Sequence, residues 1–225
     1  MTLRDLLLLA HLLVFGAWIG TDLATFTLSR KVLDSTLELS SRRTFAVAMT
    51  SIEVIARLCL PTMLTLGLAL SIETGLVAWS TSLIPILFLL LAAWLAIVWR
   101  VHTSQGESEL ASKLAYVDLG IRSAVCIAVG VLGVVSLASD GPFIGDWLGA
   151  KLLLFAVIIA MGILIRFQLR PFSAAFAALM EQGSTPETEQ RLAGSLRIAQ
   201  MMVGVIWLSL VSSALFAVLK ALPWQ

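Results

Sequence analysis

The chain is poor in charge. Asp, Glu, Lys and Arg make up 13% of its 225 residues, about half the roughly 25% of a soluble domain. Lys and Arg number 15 against 14 acids, a net charge of +1. A nucleic-acid binder needs a basic excess, so that class is excluded. There are two cysteines, Cys59 and Cys126, each inside an apolar run, which excludes a disulfide framework and makes both small core residues. The sequence holds no CxxC, HxxxH, Walker or GxGxxG segment. What it has is hydrocarbon: 59% hydrophobic residues and a mean hydropathy of +0.98. That composition describes an integral membrane protein, whose function must be sought in the polar residues that a bilayer makes costly.

A helix crosses the hydrocarbon core in about 20 residues. Six apolar runs have the required length: about 3–28, 45–74, 83–99, 114–138, 144–169 and 192–219. The first begins like a signal peptide, but Asp5 offsets Arg4 and the run continues too far, so a retained helix is expected. Every backbone polar group in lipid must be satisfied within its segment, which makes the spans helices. The expected fold is all-α, a polytopic bundle of about six transmembrane helices in one membrane domain covering 1–225. After Pro171, the residues Phe172, Phe176, Leu179 and Met180 recur at helical spacing, which predicts a short interfacial helix over about 172–182.

Charge sets the expected orientation. The first connection carries Arg30, Lys31, Arg42 and Arg43, the third Arg100 and Lys113, and the fifth Arg166, Arg170 and Arg191; Gly75–Ser82 and Ser139–Asp146 carry no Lys or Arg. Basic loops stay cytoplasmic, which puts both termini outside.

The first span carries the clearest pattern. His11, Phe15, Trp18, Asp22 and Thr25 recur at steps of 4, 3, 4 and 3, one narrow helical stripe. Gly16 and Gly20 fall on the opposite face, where another helix could pack backbone to backbone. A histidine within a span binds heme iron, copper or a proton, or else bonds a neighbouring helix. Lys151 lies about six residues into the fifth span and His11 about seven into the first, entering from the same side, so both reach similar depth. At that depth Lys151 meets an acceptor, snorkels outward or is held neutral as a possible ligand.

The other half of the membrane holds a different set. Glu53 and Arg57 are i,i+4 with the acid first, and Asp118 and Arg122 repeat the arrangement. Asp22 and Arg197 have no partner on their own helices. These charges pair across helices, or through arginine's rigid fork receive carboxylates of a substrate or a heme propionate, or form a proton path through Asp22 and Glu53. His102, beside Trp99 and Arg100, reads as a residue of the interfacial belt, as do Trp79, Trp147 and Trp224. Met201 and Met202 are adjacent and face different directions, so they form no copper-binding stripe.

Three segments carry a resemblance. His11-Leu-Leu-Val-Phe-Gly-Ala-Trp18-Ile-Gly20, Arg57-Leu-Cys-Leu-Pro61-Thr-Met-Leu-Thr65-Leu-Gly67 and Trp147-Leu-Gly-Ala-Lys151-Leu together resemble the superfamily that includes the HemJ-type protoporphyrinogen oxidases and the CopD copper-resistance membrane proteins. The matches cover about 45 residues, and two helices over about 83–138 intervene where HemJ-type chains usually have none. The resemblance implies heme b held by His11 and Lys151; in an enzyme built on that site, Trp18 would pack on the macrocycle and Arg57, Arg122 or Arg197 would meet carboxylates.

The resulting expectation is a multi-pass protein of the bacterial inner membrane that binds heme b. Its redox role would be to oxidise a porphyrinogen-like or other small carboxylate-bearing substrate, or to pass electrons to quinone. A homo-oligomer is allowed. The rivals are a copper or small-solute transporter of the CopD type, in which His11 serves a metal or proton, and an accessory subunit of a larger membrane complex whose charges are merely paired.

Overall fold

The computed structural model describes residues 1–104, 108–138 and 141–220. Seven helices follow in order: α1 (Leu3–Val32), α2 (Leu39–Glu73), α3 (Leu83–Thr103), α4 (Glu109–Ala138), α5 (Asp146–Gln168), α6 (Phe172–Gln182) and α7 (Pro186–Lys220). All but α6 are long and apolar enough to cross a membrane. The protein is a multi-pass, all-α membrane bundle whose apolar outer faces contact lipid. The helices overrun the apolar runs mostly at the end that carries the basic loops. There α1 reaches Val32, α2 starts at Leu39 and α7 starts at Pro186, because a helix continues past the bilayer wherever polar side chains and caps support it. Trp224 lies outside the described residues.

The hydrophobic core is built in three layers. At the end with no basic loops, Leu7, Leu66, Ile72, Val129, Leu148 and Leu152 pack together with Val77 and Phe143 from the two connections. Those connections pair by an antiparallel bridge between Val77 and Phe143, extended by Ile144 N–H donating to Leu76 O at 2.8 Å. The middle layer holds Trp18, Leu60, Met63, Trp94, Ile158, Ile159 and Ile206. At the basic end Val32, Ala46, Leu192 and Leu196 close around α6. α6 forms where 172–182 predicts a helix, yet its apolar face is taken up by the protein: Leu179 is fully buried, and Phe172, Phe176 and Met180 pack against the same cluster. It is a cap on the bundle.

α2 is the central helix. Half of its most apolar stretch is buried, against 11% for α1. Pro61 stands inside it and lacks the N–H that would bond the carbonyl of Arg57 one turn back. An orphan carbonyl is costly in lipid. Arg122 of α4 answers it, its Nη2 donating to Arg57 O at 3.5 Å.

The stripe His11, Phe15, Trp18, Asp22 and Thr25 faces the bundle, all five half-buried or buried. The expected packing at Gly16 and Gly20 does not occur among the described residues. Both are exposed, and a Cβ at either would meet nothing. The close helix approach lies between α4 and α5. There a Cβ on Gly133 would stand 3.0 Å from the carbonyl oxygen of Gly149, and one on Gly149 would stand 3.2 Å from that of Gly133. Glycine spacing revealed that such a contact was possible on α1, but the partner surface is on other helices.

Candidate functional site

His11 sits on α1 within the layer away from the basic loops. Its floor is Gly67 of α2: a Cβ there would lie 3.6 Å from His11 Cε1. Glycine thus leaves room for the Cε1 edge of the imidazole beside α2. His11 Nδ1 is buried and has no hydrogen-bond partner among the described residues, a cost of about 1–3 kcal/mol for a polar atom in such surroundings. Lys151 of α5 lies within electrostatic range of His11. Its ammonium stands over the Trp147 ring, 5.6 Å from the centroid, so the side chain runs back one turn along α5 toward the membrane surface. Depth counting on two separate helices thus places the pair in one neighbourhood. Trp18, two turns further along α1, is 3% exposed and meets Phe155 of α5 edge to face, with centroids 6.3 Å apart. It is the aromatic tie between the helices bearing His11 and Lys151.

An apolar groove of about 420 Å³ opens beside this site. Val14, one turn from His11, lines it with Leu58, Cys59, Thr62, Leu95 and Trp99. Its lining comes from α1, α2 and α3, and its rim residue Trp99 is exposed.

The second polar region lies about 16 Å deeper, the rise from His11 to Asp22 at 1.5 Å per residue. Asp22 is half-buried and within electrostatic range of Glu53, with the indoles of Trp18 and Trp207 beside it. Trp207 Nε1 is itself buried and falls short of a hydrogen bond. Glu53 is bound by Arg57, Nη2 to Oε1 at 2.7 Å, as the i,i+4 spacing predicts. The neighbouring pair is Asp118 and Arg122, joined through Arg122 Nε at 3.1 Å. Two further partners close on Asp118: Arg166 of α5 at 2.6 Å and Trp94 Nε1 of α3 at 2.8 Å. The Arg122 guanidinium also lies over the Trp94 ring, 5.7 Å from its centroid. Asp118 is 1% exposed and Arg122 5%. Both arginine candidates, Arg57 and Arg122, are therefore engaged with acids of the chain. Arg57 remains about one-third exposed and Arg122 does not.

Arg197 is elsewhere. Gln200 of α7 donates to Ser29 of α1 at 2.8 Å, which puts Arg197, one turn earlier, level with the end of α1. From His11 to Val32 is about 30 Å at the helical rise, so Arg197 and His11 belong to opposite ends of the bundle. His102 stacks loosely on Trp99, 6.1 Å between centroids, as an interfacial residue would. Cys59 and Cys126 are unpaired thiols, and no group of three His, Cys, Asp or Glu side chains gathers among the described residues.

Two structural residues escaped the sequence reading. Arg42 is wholly buried. It binds Glu189 through both Nη atoms at 2.6 and 2.9 Å and donates Nε to Val32 O at 2.8 Å, capping α1 and tying it to α7. Arg166 looked like a loop cation and is a partner of Asp118. The acids they bind lie far along the chain, Glu189 for Arg42 and Asp118 for Arg166, and Arg42 passes over Glu38 at i,i+4, so local spacing could not reveal either pair. Comparison with protein-family models, characterised proteins and solved structures finds no match to this chain.

Proposed function

We propose that the protein is a heme b-binding redox protein of a bacterial inner membrane, with His11 and Lys151 as the residues that hold iron. The observation that carries this reading is the orphaned His11 Nδ1: a buried nitrogen lone pair or N–H without a partner, over a glycine floor. The chemistry of the donors fits. A neutral imidazole and a neutral lysine each offer one nitrogen lone pair, and Lys151 lies within electrostatic range of His11. Trp18 supplies an aromatic wall between the same two helices. Bound heme would supply a one-electron couple.

The groove beside Val14 supports the quinone version of this reading over the porphyrinogen version. It is apolar, lies within the membrane spans and begins one turn from His11, so a lipid-soluble electron carrier can approach from the bilayer. A carboxylate-bearing substrate would need an arginine, and the candidates Arg57 and Arg122 are bound to Glu53 and Asp118.

The test is the absorption spectrum of protein purified from heme-sufficient cells. The expected result is a Soret band with reduced α and β bands of six-coordinate iron. His11→Ala should abolish or strongly reduce heme content, and Lys151→Ala should weaken it or give a five-coordinate spectrum. A colourless, folded preparation would overturn the reading and leave copper or solute transport, or an accessory role, in its place. A His11→Ala variant with the wild-type spectrum would also overturn it.

A further inference from the structure

At the basic end a polar cavity of about 460 Å³ lies between the α1–α2 connection and α7. Leu33, Ser35, Glu189, Gln190, Gly194 and Arg197 line it. Its charges are arranged unequally. The Glu189 carboxylate is engaged on both oxygens by Arg42 and also accepts from Ser184 Oγ at 2.6 Å, so its charge is already matched. Arg197 is exposed and has no carboxylate within salt-bridge distance among the described residues. Ser35 on the α1–α2 connection and Gln190 on α7 add a hydroxyl and an amide to the lining. The cavity thus offers one guanidinium, a hydroxyl and an amide, with space left by Gly194, where a Cβ would meet nothing.

Depth and surroundings narrow the ligand. The Gln200–Ser29 bond sets Arg197 level with the end of α1, where Arg30 and Lys31 are exposed. From there an apolar strip continues into the membrane along the same face of α7: Met201 is 66% exposed, Val205 41% and Leu208 70%. These follow Arg197 at steps of 4, 4 and 3, one side of a helix. A guanidinium at the membrane surface with a greasy track leading inward matches a molecule with an anionic head and hydrocarbon tails.

We propose that this cavity binds the phosphate of an anionic phospholipid, with Arg197 as the phosphate ligand and the Met201–Leu208 face of α7 as the acyl-chain track. The site lies about 30 Å from His11, so it stands whether or not the heme reading does. Arginine suits it because its fork takes two phosphate oxygens at once.

The experiment uses the full-length protein extracted from vesicles of equal phosphatidylglycerol and phosphatidylcholine, with retained lipids counted by native mass spectrometry. One arginine near a membrane surface favours the anionic lipid about fivefold. Wild-type protein should retain phosphatidylglycerol over phosphatidylcholine by that factor. Arg197→Gln should bring the ratio near one. Gly194→Leu should do the same by filling the cavity with the charge intact. Arg43→Gln, which removes an exposed cation at the same end outside the cavity, should leave the ratio unchanged. A second arm titrates inorganic phosphate onto delipidated protein in neutral detergent and reads the thermal midpoint. Lipid parity in the wild type overturns the proposal, as does an equal loss in Arg43→Gln. A phosphate-dependent rise in midpoint that needs Arg197, without any lipid preference, overturns the lipid assignment in favour of a soluble phosphate compound.

Discussion

The Asp118 cluster and the His11 site are both polar insertions into an apolar bundle, and they are built in opposite ways. At Asp118 every strong group is answered. Two arginines and an indole converge on one carboxylate, and the spare Nη2 of Arg122 serves a carbonyl that Pro61 leaves open. At His11 the floor is glycine, Lys151 acts only at electrostatic range, and a buried nitrogen is left without a hydrogen-bond partner among the described residues. The first arrangement holds four helices, α2 to α5, together. The second leaves a polar atom open at a cost in stability, a cost that a bound group of the kind proposed above would offset. The distinction is between polar groups that complete the fold and polar groups the fold leaves open.

The largest expected effect tests the saturated side. Asp118→Ala strips the carboxylate from Arg122 and Arg166 and the acceptor from Trp94. Breaking a buried ion pair from one side costs about 3–5 kcal/mol, enough to collapse the folded yield. His11→Ala should cost far less folded yield than Asp118→Ala, because it breaks no buried ion pair and its Nδ1 has no hydrogen-bond partner among the described residues. Yield by size-exclusion chromatography of a fluorescent fusion reads both. Equal losses at the two positions would break the comparison.

Next in size is Arg42→Ala. It removes a fully buried guanidinium with three bonds and leaves Glu189 and the Val32 carbonyl unmatched, at a cost of about 2–4 kcal/mol. Glu189→Gln in the Arg42→Ala background should add little, since the pair acts as a unit. A thermal-melt double-mutant cycle measures that coupling, and additive losses would show that Arg42 acts through Val32 alone.

Gly67 sharpens the unsaturated side. Gly67→Ala places its Cβ at 3.6 Å from the imidazole, an ordinary contact, and should be tolerated with a change below about 1 kcal/mol. Gly67→Leu must displace the ring. If His11 holds iron, the leucine variant should lose most heme absorbance while the alanine variant keeps it, both at near wild-type yield. Identical heme content in the two would separate His11 from any function that depends on its floor.

Much of this organisation was legible before any coordinates. Apolar run lengths gave the number of crossings, and the ends at Leu83 and Ala138 coincide with the helix limits. The i,i+4 rule found Glu53–Arg57 and Asp118–Arg122. Counting residues from the membrane surface brought His11 and Lys151 to one depth, because the rise per residue is fixed whatever the neighbours. Contacts between helices were not legible. Nothing in the order Arg42-Arg43 says that the first is buried and the second exposed. Gly67 stood in a quoted segment without sign of lying under His11. Gly16 and Gly20 carried the right spacing and found no partner, because spacing describes one surface and packing needs two.

The smallest effect concerns the carbonyl of Arg57 and separates charge from hydrogen bonding within the saturated cluster. Arg122→Lys keeps a cation near Asp118 but removes the Nη2 that reaches Arg57 O. In the wild type that carbonyl has no N–H from position 61, because Pro61 has none to give. Pro61→Ala restores an in-helix donor four residues on, so the carbonyl no longer depends on α4. The lysine substitution should therefore cost less in the Pro61→Ala background than in the wild type, by roughly 0.5–1.5 kcal/mol, the net value of one hydrogen bond. The contact is long at 3.5 Å, which favours the lower part of that range. Thermal midpoints of the four proteins give the coupling directly. Equal costs in both backgrounds would mean that Arg122 serves Asp118 and nothing else, and that the open carbonyl of Arg57 is met by other means.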